Sequence, residues 1–387
     1  MADGADALTA RTISSIEEIG RDAWDAFANP AGEPYNPFVS YDFLNALEAS
    51  KSVGGQSGWT PAMLALEEAG ALVGLAPLYL KEHSQGEYVF DHHWADAYER
   101  AGGRYYPKLV CAAPFTPVPG PRLLAKNEQH KKALATALIA AGRQIGVSSL
   151  HVNFVESNDA TILNNAGFLA RRGVQYHWFN CGYSSYDDFL AVLSSRKRKA
   201  LKKERATAAA SGLEIKALRG PEITERYWDA FWLFYQDTGA RKWGHPYLTR
   251  SFCRIIAETM ADKLLLFIAE RDGHPVAGAL NFIGGEALYG RYWGAIEHHP
   301  FLHFELCYHQ AIDYAIAEKL PRVEAGAQGE HKIARGYEPV ETRSAHWIAD
   351  PNFRQAIERY LQNERAHNEA EIDALSDYTP FKKGEPQ

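Results

Sequence analysis

The sequence predicts an α+β fold made of two tandem copies of one unit, each a mixed, mostly antiparallel sheet flanked by helices. Three observations predict this fold. The segment Trp24–Phe27 recurs, with the same four residues, as Trp228–Phe231. The same order of helical and strand-like segments follows in each half. Both halves then end on a Gly-aromatic pair, at Gly167 and at Gly336, with a His-Trp pair beginning ten residues after the glycine.

The first two elements of each copy are expected to be helices. The two Trp-Asp-Ala-Phe segments lie in stretches whose large apolar residues recur at helical spacing. Ser40 and Thr249 then stand at matching places, each just before a second apolar helical stretch. A hydroxyl residue in that position is typical of a helix N-cap.

Three antiparallel strands should follow, since two apolar runs around a turn predict a hairpin. The predicted strands are 63–66, 72–78 and 88–90 in the first copy, and 264–268, 276–283 and 287–293 in the second. A helix and a short strand complete each copy. These are predicted at 128–145 and 150–155, and at 304–319 and 322–325.

The repeat sets the limits of the predicted units. The first unit runs from 11 to 182, the second from 183 to 366, and 367–387 is a tail. Two stretches interrupt the repeat: an insertion at 91–125, after the third strand of the first unit, and a basic segment at 196–205, near the start of the second. We expect functional residues there, because additions to a scaffold commonly hold binding and catalytic groups.

Charge and composition exclude several classes of protein. The 387 residues include 41 basic and 48 acidic ones, for a net charge of -7, so the surface as a whole is not suited to DNA. The four cysteines form no CxxC pair and no zinc pattern. No apolar run is long enough to span a bilayer, and the first residues lack the features of a secretory signal. We therefore expect a cytoplasmic protein without membrane insertion.

The basic segment is the first candidate site. It holds seven cations and one anion in ten residues, among them Arg196, Arg198 and Lys199. Such a local concentration of charge can bind the phosphates of a polynucleotide or a diphosphate. The alternative is an exposed helical face that contacts only water.

The second candidate follows the last predicted strand before Gly336. It includes Glu324, Gln328, Glu330, His331, Lys332, Arg335 and Tyr337. Glycines between them allow the backbone to approach a ligand, while Glu, His and Lys side chains can move a proton or stabilise a negative oxygen. Amide formation requires both actions. The alternative is a tight turn whose carboxylates cap a helix.

Two further groups are weaker candidates. The insertion mixes aromatic, charged and hydroxyl residues suited to a pocket wall, or to packing in the core: Asp91, Trp94, Asp96, Tyr106, Lys108, Phe115 and Thr116. We predict no metal there, because adjacent histidines such as His92 and His93 point in different directions. In the second copy, Arg291, Glu305 and Tyr308 either line a donor channel or are ordinary strand and helix residues.

The order of elements resembles the GNAT acyltransferase fold, and two such units in tandem resemble the Fem-type peptidyltransferases. The segments 35–47, 87–121 and 324–339 are similar to the FemAB-like family of predicted N-acyltransferases, which is described as peptidoglycan-related. The resemblance extends from about residue 11 to residue 364. It implies transfer of an acyl or aminoacyl group to an amine, such as a peptidoglycan-precursor-like molecule or another small amine.

The resemblance also implies roles for particular residues. Ser195, Arg196, Arg198 and Lys199 match a Fem-type segment near the substrate phosphates. Lys332 matches a lysine near the reacting carbonyl, so it would stabilise the oxyanion while Glu330 or His331 removes the proton. His331 stands where the family pattern has phenylalanine.

The acyl donor stays open between aminoacyl-tRNA and acetyl-CoA. Acetyl-CoA enzymes of the GNAT fold present a glycine-containing loop to the pyrophosphate, and the matching stretch 296–302 has no glycine. A CoA-dependent N-acetyltransferase is therefore the second hypothesis. A non-catalytic ligand-binding protein is the third.

Overall fold

The structure is a computed structural model that describes residues 8–242, 246–327, 329–376 and 380–382. The chain forms two compact units, each discontinuous in sequence. The first unit comprises Met1–Gly173 and Glu341–Ala370, and the second comprises Val174–Val340 and Glu371–Gln387.

The helices and strands up to the crossing into the second unit are as follows. The helices are α1 (Arg21–Ala28), α2 (Tyr41–Ala49), α3 (His92–Arg100), α4 (Glu128–Ile145) and α5 (Ser157–Asn165). The strands are β1 (Leu8–Ile13), β2 (Trp59–Pro61), β3 (Met63–Glu68), β4 (Ala71–Ala76), β5 (Leu78–Lys81), β6 (Lys108–Cys111), β7 (Leu124–Ala125), β8 (Ser149–Val155) and β9 (Leu169–Phe179).

The remaining elements complete the second unit and return to the first. The helices are α6 (Tyr186–Val192), α7 (Ser195–Ala209), α8 (Glu225–Lys242), α9 (Arg250–Thr259), α10 (Leu302–Phe304), α11 (Gln310–Ala317) and α12 (Pro351–Ser376). The strands are β10 (Glu214–Arg219), β11 (Leu264–Arg271), β12 (His274–Ile283), β13 (Ala287–Ala295), β14 (Arg322–Glu324) and β15 (Glu338–Ile348).

Both units arrange their strands in one order. In the second unit the order is β10-β11-β12-β13-β14-β9, with β13 and β14 parallel and the other neighbours antiparallel. The first unit has β1-β3-β4 and then β5-β6-β8-β15, with β6 and β8 parallel. One strand of the repeat is broken at Pro77 into β4 and β5, which divides the sheet of the first unit in two. The repeat predicted from the sequence is therefore present in the strand order.

The His-Trp strands are exchanged between the copies. His177 and Trp178 of β9 pair with β14 in the second unit, and His346 and Trp347 of β15 pair with β8 in the first. The sequence-based limits at 182/183 and 366/367 assign each strand to the copy that precedes it in the chain. Each strand, however, pairs with the sheet of the other copy. Residues 174–182 therefore belong to the second compact unit, and residues 341–366 belong to the first.

The third strand of the first copy differs from the prediction. Residues 88–90 form no strand, and Lys108–Cys111 takes that place beside β8. The chain turns instead at Gly86 and Tyr88, which have φ of 78° and 59°. The turn carries the buried Glu87 carboxylate towards Lys108. Extra sequence consequently lies before this strand, at 82–107, as well as after it.

Close packing in the second unit depends on one glycine. A Cβ at Gly294 of β13 would lie 2.2 Å from the Phe234 carbonyl oxygen of α8. Only glycine lets the helix approach the strand this closely. Within the described ranges, no helix has both the length and the apolar character that crossing a membrane requires.

Candidate active site

The candidate site lies where two parallel strands of the second unit part. β13 and β14 pair only from Ala287–Arg322 to Tyr289–Glu324, and β13 then continues to Ala295 paired with β12 but no longer with β14. After Glu324 the chain forms a glycine-containing loop and a 3-10 helix, Glu330–Arg335. Gln328 of the predicted site lies outside the described residues. Because β14 is short, the loop and the 3-10 helix that follow it lie at the point where β13 and β14 separate.

Lys332 is one of the buried residues of this 3-10 helix. Its side chain packs 5.9 Å from the Tyr176 ring, and its Nζ donates to the Gly326 carbonyl oxygen at 2.9 Å. Burial, helped by the charge of Arg291, lowers the pKa of Lys332 to about 7. An ammonium has three protons to donate, so a bond to Gly326 leaves two for a substrate oxygen.

His331 and Tyr308 form a hydrogen-bonded pair next to Lys332. The Tyr308 hydroxyl lies 2.9 Å from His331 Nε2, and it is held by the π-helical segment Glu305–His309 between α10 and α11. Burial and the charges of Arg335 and Lys332 lower the pKa of His331, while burial raises the pKa of Tyr308. At neutral pH the imidazole is therefore uncharged and can accept a proton.

Arg335 and Tyr337 hold this pair in place. The Arg335 guanidinium donates to both oxygens of Glu204, at 3.1 and 3.0 Å, and to the His331 carbonyl oxygen at 2.7 Å. It also lies 3.4 Å from the centre of the Phe304 ring. The Tyr337 ring packs edge-on against Tyr308, 5.6 Å between centroids. Both predicted residues are buried and engaged in these contacts, which favours a positioning role for them.

The basic segment forms helix α7, and its two halves have different surroundings. Near its C-terminal end, Arg205 pairs with Glu305 at 3.0 Å and Asp313 at 2.7 Å. The predicted substrate residue Glu305 is thus buried in an ion pair. At the other end, Arg196 and Lys199 are exposed and Arg198 is half-buried. Among the described residues, no carboxylate is ion-paired with these three cations.

Glu324 and Arg291 are brought together in an ion pair. The Glu324 carboxylate contacts Arg322 at 3.0 Å and Arg291 at 3.5 Å. Its neighbour Val323 faces the core that contains Tyr337, so Glu324 faces the opposite side of the sheet. These contacts favour a structural role for both residues. Glu330 is exposed at the start of the 3-10 helix.

The candidates of the first unit form a closed polar network. Lys108 Nζ donates to Glu87 at 2.9 Å, to Ser84 at 2.8 Å and to Asp91. Asp91 also accepts from the Tyr105 hydroxyl at 2.6 Å. Burial raises the pKa of Asp91, but the charges of Lys108 and His151 and the hydrogen bonds from Lys108 and Ser84 together outweigh burial and hold the pKa far below its usual range. Every member is buried, so the network holds the sheet together.

The other residues of the insertion are divided between core and surface. Trp94, Phe115 and Thr116 are buried, which agrees with the packing alternative. Tyr106 is half-buried and lies 2.8 Å from Ser84, while Asp96 is exposed on α3. In the described part of the chain, no group of three or more His, Cys, Asp or Glu residues is arranged to hold a metal ion.

Comparison with known proteins identifies the family. The sequence profile of the FemAB-like family, described as peptidoglycan biosynthesis/recognition, matches residues 15–383. The chain belongs to the FemAB-like family. No curated protein matches it in sequence.

Solved structures share the fold of this FemAB-like protein at low sequence identity. FemX is 14% identical with a TM-score of 0.54, and the alignment covers 88% of this chain and 98% of FemX. A conserved protein of unknown function from Bacteroides thetaiotaomicron is 13% identical with a TM-score of 0.53, covering 87% and 99%. L-PGS from Bacillus licheniformis is 11% identical with a TM-score of 0.50, covering 83% and 94%. The predicted α+β fold, with a mixed, mostly antiparallel sheet flanked by helices, is confirmed.

The sequence did not indicate several residues of the candidate site of this FemAB-like protein. Glu204 binds Arg335 with both oxygens, and His309 accepts or donates a 2.6 Å hydrogen bond with Tyr186 beside it. One signal was available for Glu204, which is the single anion among the seven cations of the basic segment. Phe304 had no such signal, because its role depends on the tertiary contact with Arg335.

Proposed function

We propose that this FemAB-like protein is an N-acyltransferase that transfers an acyl or aminoacyl group from an activated ester or thioester to an amine. The observation that carries the proposal is the position of Lys332 next to His331 on one short 3-10 helix. The first is a buried cation donor and the second an uncharged imidazole. Acyl transfer to nitrogen needs a donor for the carbonyl oxygen and an acceptor for the amine proton.

The residues would divide the reaction as follows. The amine nitrogen attacks the carbonyl carbon and forms the C–N bond, while the carbonyl π electrons move to oxygen. The Lys332 ammonium stabilises that oxyanion, and His331 takes the proton from the amine nitrogen. The intermediate then collapses, the C–O or C–S bond breaks, and the imidazolium returns its proton to the leaving oxygen or sulfur. Tyr308 keeps the imidazole in one orientation through its 2.9 Å hydrogen bond.

Helix α7 supports a donor that carries phosphate groups. Its C-terminal half is attached to the site through Glu204 and Arg205. The cations Arg198 and Lys199 lie six to seven residues earlier, about 10 Å along a helix axis. Aminoacyl-tRNA and acetyl-CoA both carry phosphates, the groups that such a cluster of cations binds. For the acceptor, the family description favours an amine of a peptidoglycan-precursor-like molecule, and we propose that the reaction takes place in the cytoplasm.

The experiment is a product search with matched donors. The purified protein is incubated with labelled aminoacyl-tRNA or acetyl-CoA and with UDP-linked muropeptides, and new amides are identified by mass spectrometry. We expect an amide from one donor class, and its loss in Lys332→Met. Tight binding of a donor or muropeptide without any amide from either donor would contradict the proposal and favour a binding protein.

A further inference from the structure

A cavity of about 570 Å³ opens in the second unit between the end of β13 and the start of α10. Its wall is mainly apolar and aromatic, with Trp293, Ile296, Phe301, Leu302, His303 and Phe304 among its lining residues. The volume lies within the range of roughly 300–1,000 Å³ that is usual for small-molecule pockets. An acetyl group would leave most of this space empty.

The cavity adjoins the hydrogen-bonded residues His331 and Tyr308. Phe304, which lines it, lies 5.7 Å from the His331 ring between centroids. His303, also in the wall, packs edge-on against Tyr308 at 5.6 Å and against Trp293 at 5.1 Å. Aromatic contacts therefore run without interruption from the cavity to the imidazole. A group bound here is next to the place where acyl transfer would occur.

The charges around the cavity do not suit a phosphate. Among the described residues that line it there is no lysine or arginine, while Asp237 and Glu297 are present. The nearby Arg271 is neutralised by Glu297, at 2.7 Å, which also contacts His299 at 2.8 Å. The described lining residues therefore offer an anionic ligand no lysine or arginine. The phosphate-binding candidates lie on α7 instead.

Apolar side chains are held outward at the mouth of the cavity. Ile296 is 59% exposed and Phe301 is 38% exposed. Phe301 also has φ of 64°, a backbone conformation that is rare for a bulky residue. Exposed apolar residues next to a pocket are typical of a binding site for an apolar ligand.

We propose that this cavity binds the acyl group of the donor, and that this acyl group is largely apolar and considerably larger than acetyl. The inference rests on the proposed function and specifies its substrate class. The phosphates of the donor would lie on α7, and the apolar acyl group would lie in the cavity, with the reacting carbonyl between them at Lys332 and His331.

The first test measures binding without catalysis. Octanamide, phenylacetamide and acetamide are added to the full-length protein, and binding is followed by tryptophan fluorescence and NMR. We expect octanamide or phenylacetamide to bind about tenfold or more tightly than acetamide, since each buried methylene contributes about 0.8 kcal/mol. Ile296→Asp should weaken that binding about tenfold. The matched control is Ile145→Asp, an isoleucine 43% exposed on α4 of the first unit, which should leave binding unchanged.

The second test separates this inference from the proposed function. Donors that differ only in the acyl group are compared by kcat/KM for amide formation, and the larger apolar group should be preferred by tenfold or more. Equal use of acetyl and octanoyl donors, or equal binding of the three amides, would overturn the inference and leave the acyltransferase proposal standing. Selective binding of octanamide without transfer from any donor would support the cavity assignment and contradict the proposed function.

Discussion

Equivalent strand pairs in the two units have different surroundings. In the first unit His151 of β8 pairs with His346 of β15, and in the second unit Glu324 of β14 pairs with His177 of β9. β8 is seven residues long and entirely buried, whereas β14 has three residues and leads into the glycine-containing loop. The long strand β8 keeps His151 inside the core of the first unit. The short strand β14 ends at Glu324, and the chain after it forms the loop and 3-10 helix that hold the candidate catalytic residues.

Two buried lysines, one in each unit, show the same difference. Burial lowers the pKa of Lys81 to about 7 and that of Lys332 to about 7. Lys81, however, lies 3.7 Å from the Glu87 carboxylate and 3.9 Å from the centre of the Trp59 ring. Lys332 contacts a carbonyl oxygen and no carboxylate within the described residues. A shifted pKa therefore does not identify the catalytic lysine, but its partners distinguish the two.

The largest expected effect is the loss of Lys332. We expect Lys332→Met to reduce turnover by about 10²–10³-fold, as the removal of an oxyanion donor does, while the protein stays folded. Lys81→Met is the matched control in the first unit. It should lower the thermal midpoint of unfolding and leave the turnover of the folded protein within about threefold. A large loss of turnover in Lys81→Met with little change in Lys332→Met would place the chemistry in the first unit.

His331→Gln should have the next largest effect. Removing the proton acceptor should lower kcat by about 10²-fold, within the range for general acid–base catalysis. Tyr308→Phe removes only the hydroxyl that orients the ring, so a loss of about tenfold is expected. Steady-state kinetics would check both. An unchanged kcat in His331→Gln would exclude it as the base.

The free cations of α7 should affect affinity rather than chemistry. Replacing Arg196, Arg198 and Lys199 together with glutamine should raise the KM for a phosphate-bearing donor about tenfold at low salt. The difference should shrink as ionic strength rises. The control replaces three exposed cations of the first unit, Lys51, Arg104 and Lys126. Equal effects of the two triple variants would show that only net charge matters.

The sequence predicted the repeat because its signals are local. The N-cap side chains of Ser40 and Thr249 each accept a hydrogen bond from the backbone N–H three residues later in the chain, as expected. The apolar triplet at 88–90 was wrongly predicted as a strand, since its turn is fixed by the distant partner Lys108. The exchange of the His-Trp strands was not predicted either. Strand pairing depends on contacts between residues far apart in the chain. The sequences of β9 and β15 therefore do not indicate which copy each strand pairs with.

The smallest expected effect concerns the stability of the first unit. Burial lowers the pKa of His346, which lies 2.6 Å from His151 between their Nδ1 atoms. As the pH falls through about 6.5, the unfolded chain therefore binds a proton that the folded chain does not bind. The contribution of His346 to the free energy of unfolding is present above that pH and is lost below it. Between pH 7 and 5.5 the wild type should lose about 1 kcal/mol more than His346→Gln. Urea unfolding at both pH values checks this, and equal losses would contradict it.

The dependence of kcat on pH tests the role of Lys332 most directly. The rate should rise as His331 loses its proton below its ordinary pKa of about 6.5 and fall as Lys332 loses its own near pH 7. In Lys332→Arg the guanidinium stays charged, so the account predicts that the alkaline limb moves up by two pH units or more. An alkaline limb that stays near pH 7 in this variant would contradict the assignment of Lys332 as the oxyanion donor.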